Sequence, residues 1–308
     1  MEIKTVSIIG LGALGIMYAH HFSKKMKMEN VRVIADQDRI NRYLKDGIYC
    51  NGELCDFNYI SPEELVSSPS DLILFTVKFD GLEDAIHAVK NHVGQNTLFL
   101  SALNGIISEE LIGQQYGYDN VLYCVAQGMD AVKVGNQLTF EHKGKLVIGD
   151  LQPGIISDKT KAVDRFFTAV DLPHEVDTNM KHRIWGKFML NVGVNQTVAV
   201  HKSNYGEVLR EGEARETMIA AMREVMEVSK KEGIGLTEAD LDYWLTILGT
   251  LSPEGKPSMA QDVDAQRFSE VELFSGTVLK YAEKHGIDVP VNKMLYEKII
   301  SIENEYVQ

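Results

Sequence analysis

The hexapeptide Gly10-Leu-Gly12-Ala-Leu-Gly15 constrains the fold of this chain more than any other stretch, because of what flanks it. Residues 3–9 before it are β-branched and almost continuously apolar, as in a strand covered on both faces by helices. Residues 16–28 after it have helical composition, and residues 31–35 read as a second strand ending at Asp36. Strand, glycine turn, helix and strand in frame make a βαβ unit. Its glycines permit a tight turn and close approach of a pyrophosphate to the amides and positive end of the helix. A glycine turn of purely structural purpose is the alternative, and the two in-frame strands favour the dinucleotide reading over it.

Further strands are expected over residues 71–77, 97–100, 121–125 and 137–148, with helices over 81–91 and 107–116 between them. A helix over 158–169 and a last strand over 173–176 complete this part, and from Asn179 the strand signal stops. The remainder of the chain reads as helices. Residues 211–232 form an amphipathic run closed by Gly233 and Gly235, Thr237-Glu-Ala-Asp240 is an acidic helix start, and residues 266–285 form another run closed by Gly286. A loop rich in Pro and Gly spans residues 251–257. A length of 308 residues fits two domains. The expected fold class is α/β: an N-terminal Rossmann-type parallel sheet domain over 1–177 and a C-terminal all-α domain over 178–308.

The formal net charge of −13 and the lack of any basic block longer than Lys24, Lys25 and Lys27 argue against nucleic acid as a partner. No run approaches the roughly 18 apolar residues of a membrane span. The N-terminus enters its first strand without a charged leader, so a cytoplasmic protein is expected. Cys50, Cys55 and Cys124 form no second pair to suggest a zinc site, and no histidine pairs with Cys, Asp or Glu at ligand spacing, so no metal is expected. The three thiols read as reduced and structural.

The second informative stretch is residues 181–200, KHRIWGKFMLNVGVNQTVAV. At 3.6 residues per turn Asn179, Arg183, Lys187, Asn191 and Asn195 line one face, and Ile184, Trp185, Phe188, Met189, Val192 and Val194 cover the rest. Such a helix is buried, and a buried lysine with two amides on the following turns must meet partners or a polar cavity. The readings are a structural polar network at a domain junction, or a substrate pocket with a proton donor at its floor.

Together the order GLGALG, FTVK (75–78), LNG (103–105), WGKFMLNVGVN (185–195), PSMAQDV (257–263) and SEVE (269–272) resembles the ketopantoate reductase family over nearly the whole chain. The resemblance implies a nicotinamide-binding domain and a helical domain that together reduce a 2-keto acid. It makes Lys187 the general acid, in keeping with the need to protonate the alkoxide formed by hydride addition to a ketone; burial would lower its pKa to suit that task. It further implies substrate contacts from Asn191, Asn195, Ser258 and Asn104, with Glu270 a catalytic carboxylate at the substrate or nicotinamide ribose end. Cofactor contacts are implied for Gly10, Leu11, Gly12, Ala13, Leu14, Gly15, Lys78, Asn104 and the backbone of Ala131. Asn204 lies near another substrate Asn of the family. The plainer alternative for Glu270 is a solvated helix carboxylate, and for Lys78 a surface lysine. His182 is a rival acid, but lies off the face of Asn191 and Asn195.

Two departures from the family pattern stand out. The usual Asn-Pro is Asn195-Gln196 here, so the helix need not bend at that point. Where members using NADPH place an arginine against the 2′-phosphate, this chain has Asp36, which can accept from ribose hydroxyls and would repel a phosphate. NAD is therefore favoured over NADP, against the family habit, although Arg39 or Arg42 can swing toward a phosphate. The expected function is reduction of a branched 2-keto acid, ketopantoate first, to its D-2-hydroxy acid, which is a step of pantothenate biosynthesis. The alternative is an NAD-dependent D-2-hydroxyacid dehydrogenase of D-mandelate or D-2-hydroxyisocaproate type, and a more distant one is a nicotinamide-binding sensor without turnover. The sequence leaves a homodimer open.

Overall fold

Strands apolar at every position need cover on both faces. β1 (Val6–Ile9), β2 (Val31–Ile34) and β6 (Leu72–Phe75) are buried throughout. They are joined by β5 (Asn58–Ile60), β7 (Leu98–Ser101), β8 (Val121–Gln127), β11 (Lys145–Gly149) and β12 (His174–Val176). In the computed structural model, which describes residues 1–307, these strands form an eight-stranded sheet of order β12-β11-β8-β7-β6-β1-β2-β5. Alternate side chains feed two cores. Leu72 and Leu74 join one with Tyr18 and Phe22 of α1 (Ala13–Lys25) and Phe167 of α5 (Asp158–Ala169). Ile73 and Phe75 join the other with Leu82 of α3 (Leu82–Ala88) and Ile112 of α4 (Ser108–Tyr116). β6 is therefore apolar on both faces, while β1 and β2 bury Ser7 and Arg32 among their apolar residues.

A second sheet was not expected from the sequence. It comprises β3 (Tyr49–Cys50), β4 (Glu53–Leu54), β9 (Val132–Val134) and β10 (Gln137–Thr139), pieces too short to register as strands by pattern, in the order β4-β3-β10-β9. The single strand expected over 137–148 is instead β10 in one sheet and β11 in the other. Between them the Asp130 carboxylate accepts from the amides of Glu141 (2.9 Å) and His142 (2.8 Å), and Gly144 turns at φ +63°. β11 pairs antiparallel with β8 and parallel with β12, so the sheet is mixed at that edge rather than wholly parallel.

Two compact units divide the chain, residues Met1–Lys181 and His182–Gln308. The second is helical: α6 (Met180–His201), α7 (Tyr205–Leu209), α8 (Glu213–Lys231), α9 (Glu238–Leu248), α10 (Ser258–Asp264), α11 (Thr277–His285) and α12 (Pro290–Asn304). α6 runs unbroken through Asn195-Gln196, and the buried Gln196 amide donates to the Val192 carbonyl at 2.7 Å. Trp185 packs edge-on against Phe188 and Tyr281, and a Cβ at Gly186 would lie 2.2 Å from Trp244 Nε1 of α9, so only glycine fits where these helices approach. Residues 266–285 are not one helix. α10 ends in a turn in which Asp262 O accepts from Arg267 N (2.8 Å) and Gln266 sits at φ +50°, and a π-helical turn, Glu272–Gly276, precedes α11.

α1, which carries the glycine turn, is tied down at its far end by His21. Its Nε2 lies 2.9 Å from the Val170 carbonyl and its Nδ1 2.8 Å from Lys143 Nζ, so Nε2 donates and Nδ1 accepts from the ammonium. Burial, then the Lys143 charge, lower its pKa to about 4. The unfolded chain takes up this proton below about pH 6.5 while the folded chain does not until about pH 4, so stability falls as pH drops through that window. The His21 imidazole should titrate near 4 by NMR, and His21→Phe should flatten the loss of unfolding midpoint between pH 6.5 and 4; a His21 midpoint above 6 would contradict the assignment.

Candidate active site

At the end of β1 the chain turns through Gly10 at φ +96°, which is left-handed backbone. The neighbouring β6 closes on this turn. Thr76 Oγ1 donates to the carbonyls of Gly10 (2.6 Å) and Ile9 (3.1 Å), and a Cβ at Gly15 would lie 1.8 Å from Gly10 O. Gly10 and Gly15 are thus required by the chain's own packing. Gly12 is not: a Cβ there would meet only Thr76 O at 3.5 Å, and the residue is exposed. Gly12 is also the N-cap of α1, with no side-chain cap and no acidic residue in the first turn. Uncapped amides at the positive end of a 13-residue helix, beside an open backbone, fit a pyrophosphate.

The expected cofactor positions fall one after another beyond the carboxyl ends of neighbouring strands. Gly10 follows β1, Asp36 follows β2, Lys78 follows β6, Asn104 follows β7, and Ala131 follows β8 just before β9. β1 lies at the point where the chain order reverses, which is where open parallel sheets take ligands. Lys78 is exposed, at the start of a 3-10 turn (Phe79–Gly81). Asn104 is half-buried and precedes Gly105 at φ +91°, and Ala131 is half-buried.

Asp36 has a second role, beyond the ribose contact expected of it. It is the N-cap of α2 (Gln37–Asp46), with Oδ1 accepting from Arg39 N at 2.8 Å and Oδ2 3.4 Å from Arg39 Nε. The Asp36 side chain remains about half exposed, so its carboxylate still has acceptor capacity toward solvent.

In the helical unit, Arg183, Lys187 and Asn191 are the half-buried members of the α6 stripe, and Asn195 is 5% exposed. Arg183 donates to Tyr243 Oη at 2.9 Å. His182, the rival acid, is held at 2.7 Å by Asp240, whose other oxygen completes the capping box of α9 with Thr237. Burial raises the Asp240 pKa, and the hydrogen bonds from His182 and Thr237 outweigh it to leave the carboxyl low.

Ser258 is exposed at the first residue of α10. The loop before it is gripped by α7, where Tyr205 N donates to Gly255 O (3.0 Å) and Gly206 N to Pro253 O (2.8 Å). Asn204 caps α7, accepting from Glu207 N at 2.9 Å, and donates to Glu254 at 3.2 Å. The Asn-x-x-Glu spacing of 204–207 was a visible cap signal. Glu270 lies in the non-helical segment before the π-turn, half-buried, with its carbonyl accepting from Leu273 N at 3.0 Å. It is therefore not a solvated mid-helix carboxylate.

Two other clusters have structural accounts. Asp130, Glu141 and His142 bring possible ligand atoms within 4.8 Å of one another, but the Asp130 carboxylate holds two loop amides and His142 Nδ1 (2.8 Å), which raises the His142 pKa. The three cysteines are buried and free, and burial pushes Cys50 up and Cys55 to about 12, as in unreactive thiols. No helix among the described residues is long and apolar enough to cross a membrane.

Comparison with known proteins adds to this geometry. The family described as ketopantoate reductase PanE/ApbA matches residues 6–153, and its C-terminal family matches residues 179–303. The 2-dehydropantoate 2-reductase of Aquifex aeolicus is 25% identical over 95% of this chain and 94% of its own length. That of Streptococcus pyogenes serotype M6 is 26% identical over 96% of each. Among solved structures, D-mandelate dehydrogenase with NADH and anilino(oxo)acetate superposes with a TM-score of 0.87 at 20% identity, over 98% of this chain and 99% of the other. A PanE/ApbA family ketopantoate reductase from Ralstonia eutropha gives 0.83 at 24% identity, over 99% and 100%. At those identities the structural matches establish the fold.

The cap role of Asp36 can be separated by substitution from the ribose contact expected of it. Asp36→Ala is expected to destabilise the protein by about 1 kcal/mol through loss of the α2 cap, and Asp36→Asn by a few tenths at most. Thermal or urea unfolding of the two variants measures this; equal losses would mean that the cap is energetically silent.

Proposed function

We propose a reaction for this chain from its family: it belongs to the ketopantoate reductase family, on matches that together span most of its length. It is an oxidoreductase that reduces a 2-keto acid to a 2-hydroxy acid, with D-configured product, and a branched keto acid such as ketopantoate is the leading substrate. A nicotinamide dinucleotide, when bound, supplies the hydride. The Gly10–Gly15 turn, the α1 amides, Lys78, Asn104 and the Ala131 backbone would hold it, and Asp36 would accept from its adenosine ribose.

The observation that carries this reading is the polar stripe of α6. Lys187, Asn191 and Asn195 stand on one face of α6, with Trp185, Phe188, Met189 and Val192 buried around them. A carbonyl that gains a hydride becomes an alkoxide and needs a proton at that oxygen. The Lys187 ammonium donates it, acting as general acid, and before that polarises the ketone. Asn191 and Asn195 orient the substrate, Ser258 Oγ donates to its carboxylate, and Glu270 accepts from a substrate hydroxyl or the nicotinamide ribose.

The substrate side chain and the dinucleotide are the finer points. Asp36 supports NAD over NADP, and the likeness to a D-mandelate dehydrogenase solved with NADH makes an NAD-dependent D-2-hydroxyacid dehydrogenase the second reading. A sensor without turnover is disfavoured by the acid, amide and hydroxyl groups that catalysis alone would need. A dimeric relative from Staphylococcus aureus, similar with a TM-score of 0.79, supports a homodimer here.

Lys187→Ala should lower kcat by about a hundredfold or more while dinucleotide affinity changes little, since a general acid contributes about that much. An unchanged kcat would make Lys187 a structural residue. Measured kcat/KM for ketopantoate against 2-ketoisocaproate, each with NADH and NADPH, decides the rest. A preference of more than about tenfold for ketopantoate, or about 1.4 kcal/mol of discrimination, supports the first reading, and the reverse with NADH supports the second. Asp36→Asn should then move the NADH to NADPH ratio toward NADPH without the stability loss of Asp36→Ala.

A further inference from the structure

We propose that α12 is a positioning helix for Glu270, holding the segment that presents it through a polar stripe ending at Glu303. This rests on the reading of Glu270 as a group that meets substrate or nicotinamide ribose.

Asn292, Tyr296 and Glu303 lie four and seven residues apart on α12, and so on one face. They meet the segment around Glu270 in reverse order. Asn292 Oδ1 accepts from Ser275 Oγ at 3.0 Å, the Tyr296 hydroxyl donates to the Glu272 carboxylate, and Glu303 Oε1 accepts from Ser269 N at 2.7 Å. Residues 275, 272 and 269 are spaced by three, and Glu270 falls between the last two. The stripe is itself anchored. The Asn292 side-chain amide donates to Glu224 (2.7 Å) and to Ala221 O (3.1 Å) of α8, and Glu224 also takes the amides of Val291 and Asn292, each at 2.8 Å.

Glu303 is the informative member. A carboxylate in the last turn of a helix faces the negative end of the dipole, and at 5% exposure it has also lost its water. A buried carboxylate needs donors, and the Ser269 backbone amide supplies one. The amide it holds belongs to the residue immediately before Glu270. On the other side of Glu270 the backbone enters the π-turn, with Gly276 N donating to Val271 O at 3.0 Å, a geometry that widens the helix by one residue and redirects what precedes it. Tyr296 fixes the first residue of that turn, so Glu270 is clamped on both sides by one helix face.

The test combines amide hydrogen exchange with a double-mutant cycle, using NADH and whichever of ketopantoate or 2-ketoisocaproate turns over faster. Glu303→Ala should speed exchange at the Ser269 amide and lower kcat/KM by about ten- to a hundredfold, the scale of a small misplacement of a reacting group. Glu303→Gln, which keeps an acceptor oxygen, should restore activity to within about threefold of the parent. In a Glu270→Ala background the Glu303→Ala loss should shrink to less than about twofold, because the two act as one unit. The Tyr296→Phe variant, at a half-buried position, should show a smaller loss with the same suppression, and serves if Glu303→Ala does not fold. Additive losses, or unchanged exchange at Ser269, overturn the proposal and leave Glu270 in its role. A Glu270→Ala variant with parental kcat/KM instead removes Glu270 from the site, and the positioning role falls with it.

Discussion

A lysine and two amides on a helix wrapped in apolar side chains are the constraint around which the helical unit is arranged. Water is excluded from most of α6, so each polar group on it must be matched within the protein or by something that enters. Trp185, Phe188, Met189 and Val192 are each at most 5% exposed, while Lys187 and Asn191 stay half-buried, which leaves one strip where a small polar molecule can be received. The strip is rigid because it sits on a 22-residue helix, whose glycine at 186 lets Trp244 close in. A site on such an element can hold its groups at fixed spacing in a way that a loop cannot.

The dinucleotide end of the chain solves a different problem. There close packing keeps side chains away from the backbone turn. Thr76 Oγ1 donates to the Gly10 carbonyl, and α1 begins at Gly12 without a side-chain cap. The sheet supplies rigidity through two cores, one on each face, and the turn is exposed at their common edge.

How much of this was legible in the sequence depended on whether a residue's task was local. The glycine turn, most strands of the central sheet and the helical phase of Lys187, Asn191 and Asn195 follow from period and turn chemistry and appear in the structure, while β5 of the same sheet was not expected. β3, β4 and β9 did not, because strands of two or three residues carry no period; two short hairpins, β3–β4 and β9–β10, join only where β3 meets β10. Residues 137–148 looked like one strand because β propensity does not register an aspartate seven residues or more away that bends the chain. The π-turn after Glu270 was hidden for a similar reason, being held by α12 side chains 24 and 34 residues on. The cap role of Asp36 was not read from the sequence, although an aspartate just before a helix is a common cap.

Under the proposed ribose contact, the cap role of Asp36 ties the choice of dinucleotide to the folding of the first unit. A chain that exchanged this aspartate for a basic residue would gain affinity for a phosphate and lose the start of α2 in the same step. Neutral capping residues such as asparagine or serine offer a passage between the two states, since they keep the helix while they remove the charge. The cofactor preference of such a protein is thus a property with a threshold: it can drift freely only among residues that still begin a helix.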